Sequence, residues 1–184
     1  MTDVDREPVV IAISVSHAHA AAALRTLQRS GFDMKKWSIL GKDVLAQEHA
    51  FGFYSNGDSM KFLARPSAIW SSVWSILSGG DFLFIPPVGP LVVMGPLVEW
   101  VVEALATASA DAEADVPAAA LMRIGVADDN LAQCAIAVRT RNFVVLARGS
   151  ALLMTSAHAA LVMSNASQLT LAIHSAPDHV SFTA

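Results

Sequence analysis

From Val9 the strongly apolar residues Val9, Ile11, Ile13 and Val15 take every second position, with Val10, Ala12 and Ser14 between them. Successive side chains of a strand point to opposite faces, so this period of two predicts a strand over Val9–Val15 with one strongly apolar face. Ser16 is then placed as an N-cap for HAHAAAALRTLQRS. In that helix Ala20, Leu24 and Leu27 line one side, Arg25 and Arg29 lie off it, and Gly31 supplies the stop. After FDMKK, Trp37–Leu40 reads as a second strand.

The far end has the same rhythm. Phe143–Ala147 is apolar at every position, as a central strand covered on both faces requires. A turn at Arg148-Gly149-Ser150 leads into a helix predicted over Ala151–Ala166. Leu169, Leu171 and Ile173 then alternate with Thr170, Ala172 and His174 as a last strand. Two strand–helix–strand units of similar length predict an α+β fold, a split βαβ ferredoxin-like sheet with both helices on one face. Residues 1–43 would form its first half and 142–184 its second, with 44–141 inserted between strands two and three.

The insertion is expected to be a long hydrophobic helical hairpin. After the polar bridge LAQEHAFGFYSNGDSM, helical patterning begins at Lys61, and small residues recur every fourth position at Ser67, Ser71, Ser75 and Gly79. A second helix is expected from Leu97 to about Glu113, with Ala104, Ala108 and Ala112 at the same spacing. Rows of small side chains let helices approach closely, so the two rows could face each other. GGDFLFIPPVGP, rich in Pro and Gly, would be their connection. Pro117 permits a further helix start, Ile124-Gly125-Val126 ends it, and Asp128 or Asp129 could cap a helix through Arg139.

Composition makes burial of that insertion the central question. The stretch Pro66–Ala106 carries only Asp81, Glu99 and Glu103 as charges. Apolar residues are 54% and charged residues 15% of the 184, the latter well below the roughly 25% of an average soluble domain. A spanning helix needs about 20 apolar residues. The prolines and glycines between Phe82 and Val98 would leave backbone groups unsatisfied in lipid. A soluble homo-oligomer, which could close as a ring or cage, is therefore the expectation, with a re-entrant or spanning membrane hairpin as the alternative. The net charge of −4 gives no attraction to nucleic acid, and basic residues are not interleaved among Trp70, Trp74 and Trp100. The single cysteine, Cys134, and the polar start MTDVDREPVV lead to a cytoplasmic expectation.

Candidate chemistry is sparse. His17 and His19, separated by one residue at a helix start, point in different directions, so capping or surface roles compete with a metal role. Glu48-His49 could hold a metal or anion with Asp58, or tether a loop by a hydrogen bond. Cys134 lies in the apolar helical run LAQCAIAV, where a thiol acts as a small hydrophobe. No phosphate loop or nucleophile elbow occurs, so no cofactor and no enzymatic activity are expected.

Gly149–Pro177 contains no Asp, Glu, Lys or Arg. A helix on one face of a sheet normally leaves its other face in water, so Met154, His158 and Val162 are expected on an outer face suited to protein contact. With Ser67, Ser71, Trp74, Ser75, Gly79, Trp100, Ala104 and Ala108 of the hairpin, they are the expected self-association surface. Protonation of His158, His174 or His179 at such a contact would loosen it in acid.

Four segments carry a family resemblance: SHAHAAAALRTLQRSGFDMKKWSILGKD, EHAFGFYSNGDSMKF, FIPPVGPLVVMGPLVEWVVEAL and IGVADDNLAQCAIAVRTRNFVVLARGS. Together they resemble the general stress protein 17M-like, heat-induced stress domain family of bacteria. The resemblance implies a split ferredoxin-type sheet with a hydrophobic helical insertion and an association with stress, and it brings no established activity. Ser71, Ser72 and Ser75 stand where that family has glycines, which keeps the surface small while lowering the backbone-entropy cost of a helix.

Overall fold

The computed structural model describes residues 7–42, 50–56, 59–64, 73, 75–77, 80–85, 88–108 and 116–164. Its strands are β1 (Val9–Ser14), β2 (Trp37–Lys42), β3 (Ala50–Asn56), β4 (Ser59–Ala64), β5 (Gly80–Ile85), β6 (Gly89–Met94) and β7 (Phe143–Arg148). They pair as one antiparallel sheet in the order β1-β7-β2-β6-β5-β4-β3. The helices among the described residues are α1 (His17–Arg29), α2 (Leu97–Thr107), α3 (Val116–Arg123), α4 (Asp128–Arg139) and α5 (Ala151–Met163). A 3-10 turn, Met34–Lys36, leads into β2. The chain is thus mixed α+β.

Two antiparallel ladders join β1, β7 and β2 at one end of this order. β7 pairs with β1, Ile11 opposite Leu146, and with β2, Ile39 opposite Val145. Strands β1 and β2 therefore run parallel to each other with β7 between them. The unbroken apolar run Phe143–Ala147 meets a side chain layer on each face. Phe143, Val145 and Ala147 join one core cluster, while Val144 and Leu146 join the other. Alternation sorts β1 the same way, Val10 and Ala12 to the first cluster and Val9 and Ile11 to the second.

Helices cover both faces. Ala20, Leu24 and Leu27 of α1 and Met154, Ala157 and Leu161 of α5 bury against the first face. Leu97, Val101 and Ala104 of α2, Leu121 of α3, and Cys134 and Val138 of α4 bury against the second. The ends of α1 follow the sequence closely. Ser16 Oγ accepts from His19 N–H, and Phe32 N–H reaches back to the Leu27 carbonyl across Gly31 at φ 84°. Helix α2 has no side-chain cap of its own. Its Leu97 N–H instead donates to Ser38 Oγ at 3.0 Å, a buried hydroxyl on the neighbouring β2. Helix α4 also differs from expectation at its start. Ala127 is the N-cap residue, and Asp128 and Asp129 occupy the first turn, where their charge suits the helix dipole.

The insertion is not a helical hairpin. GDFLFI, expected as part of the connection, is β5, and GPLVVM, which begins with the last two residues of that connection, is β6 and carries the sheet outward from β2. The expected polar bridge contains β3, and Ser59–Ala64, read partly as helix, is β4. Residues 73 and 75–77 are helical, but Val73 and Leu77 pack in the first cluster, whereas Leu97, Val101 and Ala104 pack in the second. The helical piece that carries Ser75 and the helix that carries Ala104 thus pack on opposite faces of the sheet, while Ser67, Ser71, Gly79 and Ala112 lie outside the described residues. A run of four apolar residues bracketed by Pro and Gly suits a buried strand as well as a connection. The last expected strand, Leu169–Ile173, lies outside the described residues.

Candidate functional site

Residues singled out from the sequence fall on the first turn of α1, the outer face of α5 and the helices of the second cluster. At the first, the Ser16 hydroxyl lies 2.7 Å from His19 Nδ1 and accepts from the His19 backbone N–H at 3.3 Å. The His17 ring stands edge-on to Phe143, centroids 6.5 Å apart. The two imidazoles are thus committed to different neighbours, one at the cap and one over β7. Glu48, His49 and Asp58 lie outside the described residues. Among the described residues no three His, Cys, Asp or Glu side chains are grouped so as to hold a metal ion. Cys134 is buried in the second cluster, and burial pushes its thiol up to about 11. At neutral pH it carries its proton and packs as an apolar group.

Of the expected association residues, Ser67, Ser71, Trp74 and Gly79 lie outside the described residues. Ser75 is exposed on the helical piece at 75–77. Ala104 is buried in the second cluster and Trp100 and Ala108 pack against it, so all three are engaged within this chain. Met154 is turned inward and fully buried, which corrects its expected place on an outer face. His158 is half-buried at the flank of α5, and Val162 is exposed as expected.

Helix α5 presents the more unusual chemistry. Met154, Ala157 and Leu161 set its inward direction. At 100° per residue the opposite side is Leu152, Ser156, Ala159 and Met163, flanked by Thr155 and Val162. Leu152 is 81%, Val162 56% and Met163 85% exposed, and no charged residue interrupts them. The hydroxyls on this side do not project polarity outward. Thr155 Oγ1 donates to the Ala151 carbonyl at 2.8 Å and Ser156 Oγ to the Leu152 carbonyl at 2.9 Å. With these donors satisfied within the helix, covering the face strands neither hydroxyl proton.

Leu152 and Met163 were not among the residues expected on this face. An all-apolar helix has no polar stripe from which its outward side can be read, so only packing on the sheet reveals it. No described helix is long and apolar enough to cross a membrane. Comparison with protein-family models, with curated proteins and with solved structures gives no match for this chain.

Proposed function

We propose that the chain is a non-enzymatic structural protein that associates with copies of itself through the outer face of α5. One observation carries this reading: Leu152, Val162 and Met163 lie exposed on a helix without charge, beside hydroxyls already bonded to their own backbone. Such a face loses little by desolvation and meets no like charge when it packs on its own copy, as a two-fold contact requires. The proposed architecture is the split βαβ arrangement. The parallel pair β1 and β2 with β7 between them, and α1 and α5 on one face, support it. Membership of the general stress protein 17M-like family is proposed with it, on the four segments quoted above, and brings the stress association. The expected small-residue seam is dropped from the contact, because Val73 and Leu77 beside Ser75 pack on the face of the sheet opposite to Ala104.

The test is the mass of the protein purified without detergent. A species larger than one copy, reduced to the monomer by Leu152→Glu, is the expected result. A monomer at all concentrations, or recovery only in detergent, overturns the reading.

A further inference from the structure

Helix α5 lacks the end groups that α1 and α4 carry. Ser16 caps the start of α1 and Arg29 lies in its last turn, while α4 has Asp128 and Asp129 at its start and Arg139 at its end. Helix α5 has no side-chain cap, no acidic residue in its first turn and no basic residue in its last. Arg148, the nearest charge before it, has the wrong sign to offset its start and lies 3.8 Å from the Glu7 carboxylate. The aligned peptide dipoles of a helix amount to about half a positive charge at its start and about half a negative charge at its end. In α5 neither is offset by a side chain of the helix itself.

The outward side of α5 has a matching symmetry. Along Leu152, Ser156, Ala159 and Met163 a large residue stands at each end with two small ones between, so the pattern of sizes is the same from either end. Leu152 and Met163 are the most exposed large apolar side chains among the described residues. A second α5 laid against the first in the opposite direction sets Leu152 beside Met163 of the second copy, twice over, and Ser156 beside Ala159. Small side chains at the middle let the two axes approach closely. The same reversal brings the positive start of each helix to the negative end of the other, whereas a parallel pair brings like ends together. We infer that α5 pairs with α5 of a second copy in the antiparallel sense, with the two-fold axis level with the Ala157–His158 peptide. The inference rests on the association through α5 proposed above, which leaves direction and register open.

Leu152→Cys and Met163→Cys chains, prepared separately and treated with a short bis-maleimide, test the direction. Cys134 is buried, so the unsubstituted chain serves as the blank. In an antiparallel pair the two copies of either position lie about 16 Å apart along the helices. A mixture of the two variants should therefore give at least about tenfold more cross-linked dimer than either variant alone. Cross-linking of each variant alone as strong as in the mixture overturns the direction and leaves association through α5 in place. A single chain carrying both Leu152→Glu and Met163→Lys decides the matter if the cysteine variants do not associate. Each new charge suits its own helix end, and in the antiparallel pair each meets the opposite charge on the second copy. The combined rise in dissociation constant should be at least about fivefold smaller than the product of the rises from the two single substitutions. A combined rise equal to that product, or larger, overturns the pairing. An unsubstituted chain that sediments as a monomer at every concentration overturns the association itself. Association with no cross-link in any sample and no coupling between the two charges assigns the contact to another surface and overturns both.

Discussion

Leu152→Glu separates association from folding, because Leu152 is 81% exposed on the uncharged face of α5. Fully burying a side chain of this size contributes about 1.5–3 kcal/mol. Scaled by the exposure of Leu152, Val162 and Met163, covering these three contributes roughly 3–7 kcal/mol per copy and twice that across a two-fold contact. Association opposes this with about 4–15 kcal/mol of lost freedom. The balance is close enough for each anchor to matter. Removing Leu152 from both copies forfeits about 2–5 kcal/mol, before the cost of covering a carboxylate. The dissociation constant should therefore rise by at least about 30-fold. Folding should hardly change, because Leu152 lies in the first turn of α5, where a negative charge suits the helix dipole. Sedimentation velocity over a concentration series, with circular dichroism as the check on folding, measures both effects. A Leu152→Glu protein that is folded and sediments like the unsubstituted chain at equal concentration refutes the reasoning.

Three further predictions concern the frame that holds this face. Ser38→Ala removes the hydroxyl that accepts from Leu97 N–H and should lower the unfolding free energy by about 1–2 kcal/mol in urea titration; no measurable loss would show that the start of α2 is satisfied in another way. Gly95→Ala should cost roughly 3 kcal/mol or more, because Gly95 sits at φ 80° and an added Cβ would fall on the Trp37 carbonyl; full stability in the same assay would contradict that close approach. Cys134 predicts an alkaline effect. Its folded thiol titrates at about 11 against an ordinary 9.0, so above pH 9 the unfolded chain loses the proton first. The contribution is intact below pH 9 and falls by up to roughly 3 kcal/mol towards pH 11. The difference in unfolding free energy between the unsubstituted chain and Cys134→Ala should follow that fall, and a flat difference would refute it.

The parts of the fold legible in the sequence are those where period and boundary signals agree. Alternation from Val9, the Ser16 cap and Gly31 together delimit β1 and α1 to within a residue or two. The unbroken run Phe143–Ala147 reads as a strand covered on both faces, and β7 is an interior strand, paired with β1 and β2 and contributing to both core clusters. The failures fall where one signal has two physical meanings. PheLeuPheIle before Pro86-Pro87 and LeuValValMet before Gly95-Pro96 are too short to show a period, and their Pro/Gly brackets suit a helix connection as well as a β-hairpin. Pairing with β2 decided between these, and pairing is a property of the whole sheet. The recurring small residues Ser67, Ser71, Ser75 and Gly79 misled for a related reason. Spacing identifies a narrow helix surface but not the element that meets it, and Leu77 meets the face opposite to Leu97.

That arrangement also changes what the low charge content means. Taken alone, 15% charged residues in a chain of this size argues for a large buried contact with other molecules. Strands β1, β7, β2 and β6, however, contribute side chains to both core clusters, so each needs apolar residues on two faces rather than one. Helices α1, α2, α3, α4 and α5 must in turn present apolar sides to them. Much of the missing charge is therefore accounted for inside one chain, and composition alone no longer calls for a partner. Helix α1 bears out this reading, since it carries Arg25 and Arg29 on its exposed positions, as a helix facing water should. Helix α5 does not follow it. Over the same face of the same sheet it keeps Leu152, Val162 and Met163 outward, where its burial against the sheet gives no reason for them. The case for association rests on this contrast between two neighbouring helices, and a charge placed at Leu152 tests it at the point where they differ most.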